Sequence, residues 1–155
     1  MAIEKVKAFF EAAGAADKIR EFPVSSATVE LAAQALGVEG ARIAKTMSFL
    51  VDGGAALIVT AGDKKIDNAK FKAFFGTKAK MLTPAQAESM IGHAVGGVCP
   101  FAVNPGCKIY LDESLRRFDV VYPAAGSSNS AVALTIPELE RYSGYLSWVD
   151  VCRDR

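Results

Sequence analysis

Residues 46–62 read TMSFLVDGGAALIVTAG, and this stretch decides the fold class. Two mainly apolar runs of strand length, residues 46–51 and 55–61, flank the sequence Asp52-Gly53-Gly54. Asp-Gly sequences between two such runs are typical of a tight turn that joins antiparallel strands. We therefore predict a β-hairpin in this part of the chain, ending at Gly62.

Helices and short strands are predicted before the hairpin. Apolar residues recur at helical spacing over residues 3–14, and a short strand follows at residues 19–22. A second helix is predicted to begin after Ser25, Ser26 or Thr28 and to end at Gly37. A helical turn is expected over residues 39–43, so that Lys45 lies just before the first strand of the hairpin.

After the hairpin, a helix is predicted at residues 67–75, and capping-box patterns predict two further helices that begin at Thr83 and Thr135. Residues 92–107, rich in Gly and Pro, are expected to form a loop with structured edges. Strands are expected at 107–112, 118–126 and 131–135, and residues 145–152 are expected to form a last strand or an extended segment. Because most strands would be joined by hairpins, the pattern favours a single domain over residues 1–155, of the α+β class with a mixed or antiparallel sheet.

The composition excludes several classes of function. Lys and Arg number 18 against 17 Asp and Glu, so the net charge of +1 provides no broad basic field for duplex DNA. The single histidine, His93, excludes sites that need two imidazoles. The three cysteines, Cys99, Cys107 and Cys152, indicate neither a disulfide framework nor a zinc site, and they favour a reducing cytoplasm. No uncharged apolar run of membrane-spanning length occurs, so no transmembrane helix is expected.

Lys45 is the first candidate functional residue. A lysine at the boundary of an element is usually a solvated surface residue. The functional alternative is an ammonium group that points into a cleft at a phosphate or carbonyl oxygen. The apolar neighbours Ile43, Ala44, Met47 and Phe49 add some support to the second interpretation, because they would hold the lysine against a partly dry wall, but both interpretations stay open.

The run Gly96-Gly97-Val98-Cys99-Pro100 is the second candidate. Glycine allows the backbone to approach a ligand closely, so N–H groups there can hold a carbonyl or phosphate oxygen. The alternative is a tight connection between a helix and a strand. Cys99 is interpreted either as a nucleophile or, more simply, as a small residue that packs or lines a pocket.

The run Ala125-Gly126-Ser127-Ser128-Asn129-Ser130 is the third candidate. Its hydroxyl and amide groups suit ribose hydroxyls, phosphates or a small amino group, although such loops are often only solvated turns.

A group of lysines is concentrated in one third of the chain, and it is interpreted either as a solvated helix face or as a local patch for RNA phosphates. Its members are Lys64, Lys65, Lys70, Lys72, Lys78 and Lys80.

Taken in order, these segments resemble the YbaK/prolyl-tRNA-synthetase-associated domain family. The resemblance covers residues 5–151, and its most specific parts are Lys45-Thr46, the Gly-Gly-Val-x-Pro loop and the segment around Gly126. This family includes free-standing aminoacyl-tRNA deacylases and the editing domain inserted in some prolyl-tRNA synthetases.

The resemblance implies an enzyme that hydrolyses the ester of a mischarged tRNA, typically tRNA(Pro) carrying a small non-cognate amino acid. It implies a mixed, partly barrel-like β-sheet flanked by helices, without metal or other cofactor. Lys45 and Gly97 are the implied catalytic residues. The residues expected to contact the substrate are Phe22, Thr46, Gly96, Val98, Cys99, Pro100, Gly126, Ser127, Ser128 and Asn129. The expected partners are the 3′ end of aminoacyl-tRNA and prolyl-tRNA synthetase, in the cytoplasm, with neither a membrane nor duplex DNA.

The mechanism that we expect uses backbone N–H groups of residues 96–100 to stabilise the carbonyl oxyanion. Lys45 would bind phosphate or carboxyl-side oxygens near the terminal adenosine, and the nucleophile would be a water or a hydroxyl of the substrate itself. The chain departs from the family at Cys99, where many members carry serine, and at Thr46, where the alanine-specific branch carries asparagine. Ser128–Ser130 replace an arginine or histidine, so the amino acid removed is not predicted.

Two other functions remain as alternatives. One is a non-catalytic module that binds a tRNA end or a nucleotide, and the other is a regulatory interaction protein.

Overall fold

The computed structural model describes residues 2–155, which form a sheet flanked by helices. The helices are α1 (Ala2–Ala12), α2 (Val29–Leu36), α3 (Asn68–Phe75), α4 (Pro84–Gln86, continued by the π-helical turn Ala87–Ile91) and α5 (Ile136–Ser143). The strands are β1 (Ile19–Glu21), β2 (Ile43–Val51), β3 (Gly54–Ala61), β4 (Lys64–Ile66), β5 (Lys108–Asp112), β6 (Val120–Pro123), β7 (Ser130–Val132), β8 (Leu134–Thr135), β9 (Ser147–Val149) and β10 (Cys152–Asp154). Short 3₁₀ turns lie at Ala16–Lys18, Gly40–Arg42 and Glu113–Arg117.

Six strands form the main sheet, in the order β8-β6-β2-β3-β5-β9. The sheet is mixed and curls into a half-barrel, and two small antiparallel pairs, β1-β7 and β4-β10, lie beside it. The predicted α+β class, with a mixed and partly barrel-like sheet flanked by helices, is therefore confirmed.

The central hairpin is confirmed, but its first strand is longer than the sequence predicted. β2 and β3 are paired from Ala44 opposite Ala61 to Val51 opposite Gly54. Asp52 and Gly53 form the turn with φ angles of 51° and 77°, the left-handed backbone that a two-residue hairpin turn requires. Because β2 starts at residue 43, the prediction that Lys45 lies before the strand is wrong, and Lys45 is its third residue.

The connections between the other strands also differ from the prediction. Three of the five pairings in the main sheet, β2-β6, β3-β5 and β5-β9, are parallel. Parallel neighbours need long crossover connections. The connection from β3 to β5 contains α3 and α4, and the connection from β5 to β9 contains α5. The strand predicted at residues 131–135 divides in two, because β7 pairs with β1 whereas β8 pairs with β6.

The helix boundaries follow the predicted caps. The Thr28 hydroxyl accepts the N–H of Leu31 at the start of α2, and Gly37 ends that helix in the left-handed conformation. Thr83 and Thr135 form complete capping boxes at the start of α4 and α5. These caps satisfy N–H groups that the first turn of a helix leaves unpaired, so local sequence alone fixes where the helices begin.

The core lies on both faces of the hairpin. β3 is buried along almost its whole length, with Leu57, Ile58 and Val59 inaccessible to solvent. Side chains alternate along a strand, so Val59 packs with Phe10 of α1 on one face, whereas Ile58 packs with Phe71 of α3 on the other. This double burial makes the hairpin a rigid base for the residues at its open edge.

Candidate functional site

The edge of β2 that faces away from β3, here called its outer edge, is paired near both ends of the strand and has no partner between them. Next to its start, Ala44 pairs with Pro123 of β6. Nearer its end, Phe49 forms a bridge with Met81, and the carbonyl oxygen of Ser48 accepts the N–H of Leu82. Within residues 2–155, residues 45–47 therefore have no partner strand on this edge.

A cleft of about 400 Å³ occupies this opening. Its volume is within the range of about 300–1,000 Å³ that is typical of small-molecule sites. The cleft is bounded by β2, the start of α2, the segment before α4, the loop around residue 96, and strands β6 and β7. The lining residues are Ser26, Ala27, Thr28, Val29, Glu30, Ala32, Ile43, Ala44, Lys45, Thr46, Met47, Ser48, Met81, Leu82, Val95, Gly96, Val98, Tyr122, Ala124, Ser130, Ala131 and Arg155.

Lys45 lies in the wall of this cleft and is exposed to solvent. Its backbone is held from the opposite edge, because Lys45 faces Thr60 of β3 in the ladder. Alternation places its side chain on the same face of the sheet as Met47. Arg155 also lines the cleft, and its guanidinium lies 4.0 Å from the carboxylate of Glu30, another lining residue.

Thr46 is the second residue at the open edge. The N–H of Leu50 and the carbonyl oxygen of Ser48 both bond to the segment at residues 80–82. Because hydrogen-bonding direction alternates along a strand, the backbone of Thr46 points to that same side, into the opening. The Thr46 Oγ1 atom is buried without a hydrogen-bond partner among residues 2–155.

The loop at residues 94–100 forms the facing wall, through Gly96 and Val98. The N–H of Gly97, expected to be an oxyanion donor, instead donates to the carbonyl oxygen of Ala94 at 3.0 Å. Position 97 requires glycine for close packing, because a Cβ atom there would lie 2.6 Å from the backbone nitrogen of Ser127. Pro100 has no N–H. Val95, Gly96 and Val98 of this loop line the cleft. Of residues 96–100, which were expected to supply oxyanion donors, Gly96 and Val98 are therefore the ones that line it.

Three buried groups hold the base of this loop. His93 Nε2 lies 2.8 Å from the carbonyl oxygen of Phe101 and 3.5 Å from Cys99 Sγ. Burial lowers the pKa of His93, because the charged imidazolium is poorly solvated there. Burial raises the pKa of Cys99 to about 12, so the group is a thiol at neutral pH. We call this group the His93–Phe101 clasp.

Cys99 consequently has neither the exposure nor the ionisation of a nucleophile. Its side chain is fully buried in the main core and does not line the cleft. Of the two interpretations of Cys99, the structure supports the packing one.

The loop at residues 126–130 supports the cleft from behind. Ser127 Oγ donates to Asn129 Oδ1 at 2.9 Å and lies at hydrogen-bond distance, 2.7 Å, from the Ser130 hydroxyl, from which it can accept. Phe22 and Asn129 are joined by two hydrogen bonds, from Phe22 N to Asn129 O at 2.8 Å and from Asn129 Nδ2 to Phe22 O at 3.1 Å. The predicted contact residues of this loop, Gly126, Ser127, Ser128 and Asn129, do not line the cleft, whereas the neighbouring Ser130 does.

Comparison with known proteins identifies the family. The family model for the aminoacyl-tRNA editing domain matches residues 24–142, which include every segment of the cleft except the C-terminal Arg155. The chain belongs to the aminoacyl-tRNA editing domain family.

Three relatives illustrate the range of this family. The uncharacterized protein YwhH of Bacillus subtilis is 47% identical over 99% of both chains. A proline–tRNA ligase of Leuconostoc citreum is 29% identical over 65% of this chain, which spans only 18% of the ligase. The crystal structure of a candidate trans-editing enzyme for prolyl tRNA synthetase is 30% identical, with a TM-score of 0.88, and the match covers 98% of this chain and 97% of the other.

The editing domain brings together some of the predicted site residues and separates others. Lys45, Thr46, Gly96 and Val98 line one cleft, although about 50 residues separate the two pairs in the chain. The remaining predicted residues lie behind the cleft or in its supporting loops, namely Phe22, Gly97, Cys99, Pro100, Gly126, Ser127, Ser128 and Asn129.

Several lining residues of the editing domain had no signal in the sequence analysis. Met81 is 57% exposed at the rim, beside β2, and Tyr122 lies on β6. Ser26 and Thr28 were considered only as helix caps. Their approach to Lys45 depends on the packing of α2 against β2, which no local pattern reveals.

The lysine-rich third of the editing domain adjoins the cleft, because Lys80 directly precedes Met81, but its lysines do not line it. Lys64 pairs with Asp154, and Lys70 pairs with Asp150 at 3.0 Å. None of the six lysines of this group lines the cleft within the described chain. None of the helices within residues 2–155 has the length and apolar character of a membrane span.

Proposed function

We propose that this editing domain is an aminoacyl-tRNA deacylase, and that its substrate is tRNA(Pro) carrying a small non-cognate amino acid. The observation that carries the proposal is the cleft, in which Lys45 and the open edge of β2 face the Gly96–Val98 wall. The family match and the similarity to a candidate trans-editing enzyme support the reaction class. The similarity to proline–tRNA ligases supports the choice of tRNA.

The reaction needs only a modest rate enhancement from the enzyme, because the aminoacyl ester is already activated. Water adds to the ester carbonyl carbon, the bond to the ribose oxygen breaks, and the released hydroxyl takes up a proton. The products are the free amino acid and uncharged tRNA. An editing site of this kind must hold the ester in position and stabilise the negative charge that develops on the carbonyl oxygen.

The N–H groups of Gly96 and Val98 are proposed to stabilise that oxyanion. Both residues line the cleft, whereas the N–H of Gly97 is already bonded within the loop. Gly97 instead allows the loop to pack closely against Ser127. Two donors fixed by a packed loop need no reorganisation when charge develops, which is the basis of oxyanion stabilisation.

Lys45 is proposed to bind the phosphate or the carboxyl-side oxygens near the terminal adenosine. Its ammonium group is exposed within the cleft, on a strand whose backbone is fixed by the β2-β3 ladder. Thr46, beside it, presents its backbone to the same opening. This arrangement fixes the ester between a cation on one wall and N–H donors on the other.

The size of the amino acid is proposed to be limited by the walls of the cleft. Ala44 and Ala131 form buried parts of the lining, and Met47 and Tyr122 add bulk beside them. Discrimination by fit is worth only about 1–3 kcal/mol for each methylene group. We therefore expect graded rates across small amino acids.

The test is a panel of tRNA(Pro) charged with labelled alanine, cysteine, serine or threonine, with prolyl-tRNA(Pro) as the cognate control. Loss of acid-precipitable label from at least one mischarged tRNA, faster than from the cognate one, is the expected result. Binding of the same tRNAs without loss of label would replace the proposal by a non-catalytic module. If the protein neither binds nor hydrolyses these tRNAs, that result contradicts both the deacylase and the non-catalytic module.

A further inference from the structure

The His93–Phe101 clasp is a buried hydrogen-bonded group that the proposed reaction does not use directly. The Phe101 carbonyl can only accept, so His93 Nε2 must carry the proton and donate to it at 2.8 Å. Cys99, a protonated thiol, donates to the same oxygen at 3.8 Å. The side chains of His93 and Cys99 therefore converge on a single backbone carbonyl.

The clasp joins the two ends of the segment that forms a wall of the cleft. His93 precedes this segment and Phe101 follows it, so the hydrogen bond closes residues 94–100 into a loop. Within the loop, the N–H of Gly97 donates to Ala94 O, and Gly96 and Val98 face the cleft. The position of these two residues therefore depends on how firmly the ends are joined.

The far end of the loop is itself anchored. Phe101 is fully buried, and its ring packs against Phe10 of α1 at a centroid distance of 5.0 Å. The next residue, Ala102, has a φ angle of +51°, a conformation that is unfavourable for alanine and persists only where the surroundings impose it. The carbonyl to which His93 donates is consequently a fixed point in the structure.

We propose that His93 is a positioning residue for the cleft, and that its hydrogen bond to Phe101 holds Gly96 and Val98 in the orientation that binds the ester carbonyl. This inference rests on the proposed deacylase function. The imidazole is fully buried and does not line the cleft, so it acts through the loop and not on the substrate.

Two substitutions distinguish the effect of the hydrogen bond that His93 donates from the effect of the volume that its side chain fills. His93→Met fills a similar volume but removes the donor, whereas His93→Gln places an amide N–H near the position of Nε2. Val149→Ala is the matched control, because Val149 is buried in a different cluster and does not line the cleft. It lowers stability without touching the loop.

The expected result is a selective loss of kcat. In His93→Met, kcat should fall about 10- to 100-fold while KM changes little, because misplacement of a positioned group affects the reacting geometry. His93→Gln should restore most of kcat, and Val149→Ala should retain it despite a lower melting temperature. Wild-type kcat in His93→Met, or no rescue by His93→Gln, would overturn the proposal.

Hydrogen exchange tests the clasp independently of activity. Amides of residues 94–99 should exchange faster in His93→Met than in the wild type, and should be unchanged in Val149→Ala. If the wild-type protein deacylates no tRNA, the proposed function has failed, and exchange alone then decides whether His93 fixes the loop. Unchanged exchange in His93→Met would contradict that role.

Discussion

The hydroxyl of Thr60, fully buried on β3, donates a hydrogen bond of 3.5 Å to the carbonyl oxygen of Lys45. The two residues are also partners in the β2-β3 ladder. The backbone that carries the candidate catalytic ammonium is therefore held from the buried side of the strand, while its other edge faces the cleft.

Thr60→Val tests how much that side-chain bond adds to the ladder. Since the bond is long and the register is already fixed by the strand pairing, we expect a loss of about 1 kcal/mol in the free energy of unfolding. Deacylation should change by less than about threefold. Urea unfolding and deacylation rates measure the two effects. A large loss of activity at unchanged stability would show that the hydroxyl itself contributes to the site.

Gly97→Ala tests the close packing behind the cleft. The added Cβ would meet the backbone of Ser127 and Gly126 at 2.6–2.7 Å, and backbone atoms yield only if the whole loop shifts. We expect a loss of about 1–3 kcal/mol in stability, with a loss of deacylation.

Gly54→Ala is the control for this substitution. A Cβ there meets only the carbonyl oxygen of Val51, at 3.8 Å, which is an ordinary contact. It should leave activity unchanged. If Gly97→Ala behaves like Gly54→Ala in melting temperature and rate, the packing account is wrong.

The caps, the hairpin and the fold class were accessible from sequence because each depends on neighbouring residues. Thr28, Thr83 and Thr135 cap their helices through bonds that span three residues. The extension of β2 to residue 43 was not accessible, because it depends on pairing with β6, about 80 residues away.

The cleft was only partly predictable for the same reason. Lys45 and Gly96 were selected from local chemistry, but their meeting depends on where the outer edge of β2 loses its partner strand. Met81 reaches the rim through the bridge to Phe49, a contact between segments about 30 residues apart. The contact between His93 and the carbonyl oxygen of Phe101 was not predictable either, because it depends on how the loop between them folds.

Met81→Ala tests the contribution of the apolar rim. Met81 is 57% exposed and lines the cleft, whereas Leu146 is 59% exposed and does not. Loss of the methionine contact with the substrate should cost about 1 kcal/mol of binding, a rise in KM of about fivefold. Leu146→Ala should leave KM unchanged. Equal effects of the two substitutions would exclude a specific role for the rim.

The stability of the protein should depend on pH through His93. Burial lowers its pKa in the folded state, and the Lys5 charge acts in the same direction, whereas the bond to Phe101 opposes them. In the unfolded chain the His93 imidazole has its ordinary pKa, near 6.5. Well above that pH the imidazole is neutral in both states, so the free energy of unfolding is at its full value. Below it, the unfolded state binds a proton that the folded state does not. The free energy of unfolding should then fall by up to about 1.4 kcal/mol per pH unit.

Urea unfolding between pH 5.5 and 7.5 measures this dependence. His93→Gln removes the titrating group and should flatten the profile over that range, although its stability at pH 7.5 is lower. A wild-type profile that does not fall below pH 6.5, or a variant profile that falls equally, would contradict the assignment.

Single-turnover deacylation by the wild type and Lys45→Ala, with Lys72→Ala as a control lysine outside the cleft, tests the central claim most directly. Both lysines are exposed, so both substitutions should leave stability within about 0.5 kcal/mol. We predict that the wild type and Lys72→Ala remove a small non-cognate amino acid from tRNA(Pro) at similar rates. We predict that Lys45→Ala is slower by about 100-fold. Deacylation by Lys45→Ala at the wild-type rate would contradict the account.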